Sequence, residues 1–193
     1  LSLAVGYTFY CYSCPKRDVD KSYEAFYDEP KDTIDGVILG TSGVVYGWTP
    51  PVAWQEYGMP VYQLGGYVMP FGPLPALIDF VRSRQDIRYV IVDIHGLRTE
   101  TIQYSVTPAH CLKLSGALHF GLHQYKVISQ TIDYAERVYD HYGMPEDPDE
   151  AIDPNDLSLY IPFIRFHSRW IEGLQKADYV SVPNNFKGAA GGK

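Results

Sequence analysis

Three short apolar runs set the main limit on what this chain can fold into. They are Val37-Ile38-Leu39, Val61-Tyr62-Gln63-Leu64 and Tyr89-Val90-Ile91-Val92-Asp93-Ile94, closed in turn by Gly40, by Gly65-Gly66 and by His95-Gly96. Continuous rather than alternating apolar character marks strands covered on both faces. Helical patterns separate them. Thr49 is a candidate N-cap before Pro50-Pro51, and the short helix through Ala53–Tyr57 stops at Gly58. From Pro70 to Gln85, Leu74, Leu77, Ile78 and Val81 fall at the i, i+3, i+4, i+7 spacing of an amphipathic helix, with Arg82 and Arg84 favourably placed in its last turn. Strand and helix in alternation predict an α/β protein, a three-layer sandwich around a mainly parallel sheet with right-handed crossovers.

The flanking segments read differently. Pro15 to Asp32 carries most of the early charge and reads as an exposed, solvated lead-in with a single helical turn. Arg98 to Ser115 shows no clear period and reads as a long loop. Leu122 to Tyr142 is predicted as a helix on the stripe Ile128, Ile132, Ala135 and Tyr139, stopped by Gly143 and Pro145. Glu146 to Asp156, with six acidic residues and two prolines, is an exposed connector. Leu157 to Phe166 is aromatic and apolar, and Ser168 is a candidate cap for a last helix through Trp170, Ile171, Leu174 and Ala177. The expected organisation is a lead-in over 1–32, one α/β domain over 33–183 and a flexible tail over 184–193.

At 193 residues and 46% hydrophobic content the chain is a folded globular protein and one domain is the natural expectation. A net charge of -7, with no run of Lys and Arg, opposes binding to nucleic acid or other polyanions. Seventeen Tyr and three Trp suit an ordinary aromatic core or a carbohydrate-facing cleft. Cys11, Cys14 and Cys111 are too few for a disulfide scaffold, and Cys11 and Cys14 either pair or stay free. No interior segment approaches the roughly 20 apolar residues of a membrane span. Leu1 to Tyr12 is uncharged and mostly apolar, and reads as the remnant of an anchor or signal segment that places the rest outside the cytoplasm.

The first strand ends in the turn Gly40-Thr41-Ser42-Gly43, which sets a hydroxyl at the carboxyl end of a central strand. Open α/β sheets bind ligands there, and amide hydrogens of a turn opening a helix can hold an oxyanion. A merely polar β-to-α turn has the same composition.

The order of pieces resembles the SGNH/GDSL hydrolase superfamily. An acidic residue precedes an apolar strand; then come Leu39-Gly40-Thr41-Ser42, Tyr46, a Pro-x-x-x-Trp helix and Val61-Tyr62-Gln63-Leu64-Gly65. Within that superfamily it more closely resembles the membrane-anchored bacterial branch that includes relatives of the D-alanine transfer protein and alginate O-acetylation proteins. It covers Pro30 to about Gly96, and more loosely Leu157–Phe163 and His167-Ser168-Arg169-Trp170. The α/β-hydrolase elbow fits less well, since Val44 stands where its second Gly would be.

The resemblance implies a flavodoxin-like sheet, a cell-surface location, and ester hydrolysis or acyl transfer on O-acyl groups of an envelope glycan or similar ester. It places the nucleophile at Ser42 and the oxyanion donors at Ser42 and at Gly65 or Gly66, with Gly43 in the same turn. Two departures stand out. There is no clear Gly-x-Asn, for which Gln63 is a partial substitute, and none of the six histidines follows an Asp at Asp-x-x-His spacing. A serine without a base is a poor nucleophile at neutral pH. Either the acid–base pair lies beyond this chain, which is the expectation taken forward, or the base comes from elsewhere, or the chain is a non-catalytic glycan-binding or assembly module.

His95, at the end of the third strand, is the internal candidate for a base, and His167 for a substrate ligand. Arg98 and Arg169 could hold an anionic group or form surface ion pairs. His119 and His123 would share a helical face as a metal pair with Asp93, His95 or His110, but Gly116 and Gly121 break the pattern, so no metal is expected. EF-hand, dinucleotide and Walker motifs are absent and no cofactor is expected.

Overall fold

The computed structural model describes residues 21–66, 68–97, 102, 105–161 and 164. It is an α/β protein whose three strands, β1 (Gly36–Gly40), β2 (Val61–Gly65) and β3 (Tyr89–Val92), form an all-parallel sheet in the order β2-β1-β3. β1 is central. Gly36 pairs with Val61 on one side and with Tyr89 on the other, and the register runs on to Gly40 opposite Gly65. Helices flank the sheet in a flavodoxin-like sandwich.

Alternation along the strands divides the core in two. Val37, Leu39, Tyr62 and Leu64 join one large cluster, while Ile38 and Val61 join a smaller one with Val44, Trp48 and Met59. The smaller cluster lies under α2 (Ser42–Gly47) and α3 (Pro50–Tyr57), which connect β1 to β2. The larger lies under α4 (Leu74–Arg82), which connects β2 to β3. These two connections run in opposite directions across the sheet and cover opposite faces, as crossovers of a single hand require. α3 stops where Gly58 turns left-handed at φ 62°, as its glycine predicted.

Two segments differ from the sequence expectation. Residues Lys21–Asp28 form a helix, α1, and Tyr23 and Phe26 within it are fully buried. The charges gave this segment a solvated look, but its aromatic residues fall three apart and face the sheet. Phe26 meets the rings of Tyr62 and Phe80 edge-on at 5.1 and 5.5 Å. The predicted loop over 98–115 contains α5 (Pro108–Gly116), begun by Thr107, whose hydroxyl accepts from the His110 N–H. Ser, Thr and Pro obscured its period because they serve the helix start. The helix over Leu122–Tyr142, α6, has the predicted bounds, and its Val127 and Ile128 join two separate clusters.

Buried Gln85 ties the lower end of the sheet together. Its Oε1 accepts from the N–H groups of Thr33 and Ile34 at 2.9 and 3.2 Å, and its Nε2 donates to the Pro30 carbonyl at 2.7 Å. Arg88 pairs with Asp35 at the same end. The opposite end, where the strands finish, is left for the site.

Candidate functional site

At the carboxyl end of β1 the chain turns at once into α2. Gly40 makes this possible: a Cβ there would lie 2.4 Å from the Asp93 Cβ and 2.5 Å from Val44 Cγ2. Only a residue without a side chain lets the helix and β3 approach this closely. Thr41 caps α2. Its Oγ1 accepts from the Gly43 N–H at 3.4 Å and donates to Asp93 Oδ2 at 2.9 Å, while its N–H reaches the same Oδ2 at 3.4 Å.

Asp93, one residue beyond β3, is therefore bound to the turn that carries Ser42. Its other oxygen, Oδ1, accepts from the His95 N–H at 2.9 Å. Burial alone would raise the Asp93 carboxyl. The hydrogen bonds from His95 and Thr41, with the His95 ring nearby, outweigh it and hold the group below the ordinary carboxylate range. The carboxylate is thus an anion at neutral pH, and both of its oxygens are engaged.

Ser42 is half-buried on the first turn of α2. Its hydroxyl has no hydrogen-bond partner among the described residues. It faces a cleft of about 520 Å³ lined by Ile38, Ser42, Gly43, Val44, Gly47, Trp48, Asp93 and His95. The structure thus brings Ser42, Gly43 and His95 together from two strand ends, and adds Asp93 and Trp48. His95 is exposed on the rim, in a 3-10 turn over Ile94–Leu97, and no hydrogen bond joins its ring to Ser42.

The second strand contributes differently from what the resemblance implied. Gln63 is 6% exposed, and its Nε2 donates to the Val44 carbonyl at 2.9 Å, so its amide fastens α2 to β2. The Gly66 N–H donates to the Gly40 carbonyl at 3.0 Å and extends the ladder. Gly65 is buried beneath Val44 and Val45, each of which would stand 3.0 Å from a Cβ there. α2 sits directly on the end of β2, which a linear sequence does not reveal. At the start of α2 the Gly43 N–H donates to Thr41 Oγ1 and the Val44 and Val45 N–H groups to the Thr41 carbonyl, which among the described residues leaves the Ser42 N–H without an acceptor. His167, Arg98 and Arg169, like Cys11 and Cys14, lie outside the described residues.

Three further histidines, His110, His119 and His123, pack or hydrogen-bond within the fold. His119 stacks on Tyr27 at 3.7 Å and its N–H donates to the Tyr27 hydroxyl at 2.9 Å. His123 meets Phe80 edge-on at 5.8 Å, and His110 Nδ1 shares a 2.8 Å hydrogen bond with Thr107. Among the described residues no three His, Cys, Asp or Glu converge on a point that could hold a metal. Nor, among them, is any helix long and apolar enough to cross a membrane.

Comparison of the chain with protein-family models, with curated proteins and with solved structures gave no match. Thr41, as the cap that binds Asp93, and Trp48 are site residues that sequence reasoning did not single out, and it named Asp93 only as a possible metal ligand. The signal for Asp93 was available: it is an acidic residue ending the strongest apolar run, beside the central strand.

Proposed function

We propose that the chain is a serine-dependent esterase or acyltransferase of SGNH type, acting on O-acyl groups of a cell-envelope glycan or a similar ester. One observation carries this reading: a serine hydroxyl without a hydrogen-bond partner among the described residues opens into a cleft at the carboxyl end of the central parallel strand. In this mechanism Ser42 Oγ attacks the acyl carbonyl carbon and its proton passes to an imidazole. The tetrahedral oxyanion is held by the Ser42 N–H, since the next three N–H groups of α2 donate to Thr41. The C–O bond to the alcohol then breaks, the imidazole returns its proton to the departing oxygen, and an acyl-serine remains for water or an acceptor hydroxyl to release. His95, on the cleft rim, is the base within the described residues, and its backbone is positioned by Asp93.

Treatment with a fluorophosphonate, followed by peptide mapping, tests this directly. The expected result is a covalent adduct on Ser42 that Ser42→Ala abolishes, together with loss of at least about a thousandfold in ester turnover. A folded chain that takes no label at Ser42 overturns it.

A second reading, a catalytically inactive glycan-binding or assembly module, is favoured by the lack of any hydrogen bond from Ser42 to an imidazole among the described residues. It expects saturable glycan binding without turnover, undiminished in Ser42→Ala.

A further inference from the structure

Beside the Ser42 cleft lies a second hollow of about 480 Å³, and the two share Gly47 and Trp48. Val52, Ala53, Tyr57 and Met59 form the rest of its wall with Thr49, and among the described residues no charged side chain lines it. Trp48 Nε1 is buried, without an acceptor among the described residues, so the indole nitrogen offers no exposed donor to the hollow. Val52 and Tyr57 are 48% and 72% exposed on the same short helix, which leaves an apolar surface open to solvent.

The chemistry of this wall selects its occupant. A sugar ring needs hydrogen-bond partners in its plane, and a phosphate needs cations or several converging donors. Two hydroxyl groups, those of Thr49 and Tyr57, supply neither. A hydrocarbon chain needs only apolar contact and exclusion of water. Because the hollow and the cleft share Gly47 and Trp48 as walls, a chain lying in it would run beside the cleft that holds Ser42. We propose that this groove seats the hydrocarbon tail of a medium-chain acyl ester, about six to ten carbons long on the scale of drug-sized pockets. The role of the attached carbonyl rests on the reading of Ser42 as nucleophile; the binding of the tail does not.

The full 193-residue chain carrying Ser42→Ala, titrated calorimetrically with N-methylacetamide, N-methylhexanamide and N-methyloctanamide, tests the groove without turnover. Affinity should rise about three- to fourfold per added methylene, with a negative heat-capacity change. Val52→Asp, which sets a charge on the wall at an exposed position, should weaken octanamide binding at least about tenfold. Tyr57→Ala, a milder change at a more exposed site, should weaken it severalfold if the first variant fails to fold. In the unaltered chain, kcat/KM for p-nitrophenyl esters should climb from acetate to octanoate.

Absence of octanamide binding by the folded chain, or affinity independent of chain length, overturns the proposal. Octanamide binding without labelling of Ser42 supports the groove and removes the nucleophile reading. Labelling and acetate turnover without dependence on chain length do the reverse.

Discussion

Thr41 does two things with one hydroxyl, accepting from Gly43 to start α2 and donating to Asp93 to hold β3 against the turn. Thr41→Val keeps the shape and removes both, and should cost about 1–2 kcal/mol in urea unfolding, whereas Thr41→Ser should cost less than half of that. Asp93 makes a further prediction about pH. Its folded pKa lies below that of an unfolded Asp, near 3.9. The folded chain therefore binds this proton less readily, so the carboxylate stabilises fully above about pH 4 and loses its contribution as pH falls through the folded value. Stability measured from pH 6 downward should drop more steeply in the unaltered chain than in Asp93→Asn, which starts lower. Equal slopes would show that the carboxylate is not held by the turn. Ser42, with no such partner, should tolerate Ala with a change in stability under about 0.5 kcal/mol.

Among the elements, α1 departs most from what its composition suggests. Charge counting made it a solvated lead-in, yet Phe26 is packed between Tyr62 and Phe80, and the Tyr62 hydroxyl donates to the Ser22 carbonyl at 2.9 Å. Phe26→Ala should destabilise by about 3–5 kcal/mol in denaturant unfolding, and a change under about 1 kcal/mol would return the segment to the surface. Gln85 shows the same principle in a polar residue. Glutamine three residues past the end of α4 looks like a surface choice, but its amide replaces a missing strand for the N–H groups of Thr33 and Ile34. Gln85→Ala leaves those buried groups unpaired and should cost about 2–3 kcal/mol by the same measurement. The importance of both residues comes from partners 36 to 55 positions away, as with the Gln85 bond to Pro30 and the aromatic contact of Phe26 with Tyr62.

For the whole molecule, the two larger cores are joined through α6, where adjacent residues Val127 and Ile128 enter different clusters. Leu77→Ala in one core and Ile132→Ala in the other should therefore shift a single unfolding transition, each by about 2–5 kcal/mol, with coincident curves by fluorescence and circular dichroism. Separate transitions would show that the cores unfold independently. The sequence alone determined the three strands, the amphipathic helices between them and the parallel α/β class, because burial on two faces and the 3.6-residue period are written locally. It also put Ser42 at the end of the first strand, since Gly40 and Gly43 mark the turn. Tertiary structure decided which groups surround that hydroxyl. Strand order set Asp93 and His95 beside it, and the seating of α2 on β2 consumed Gln63 and Gly66 in backbone contacts. Those outcomes depend on which strand lies next to which and which face a connection covers, and such long-range pairings leave no period in the chain.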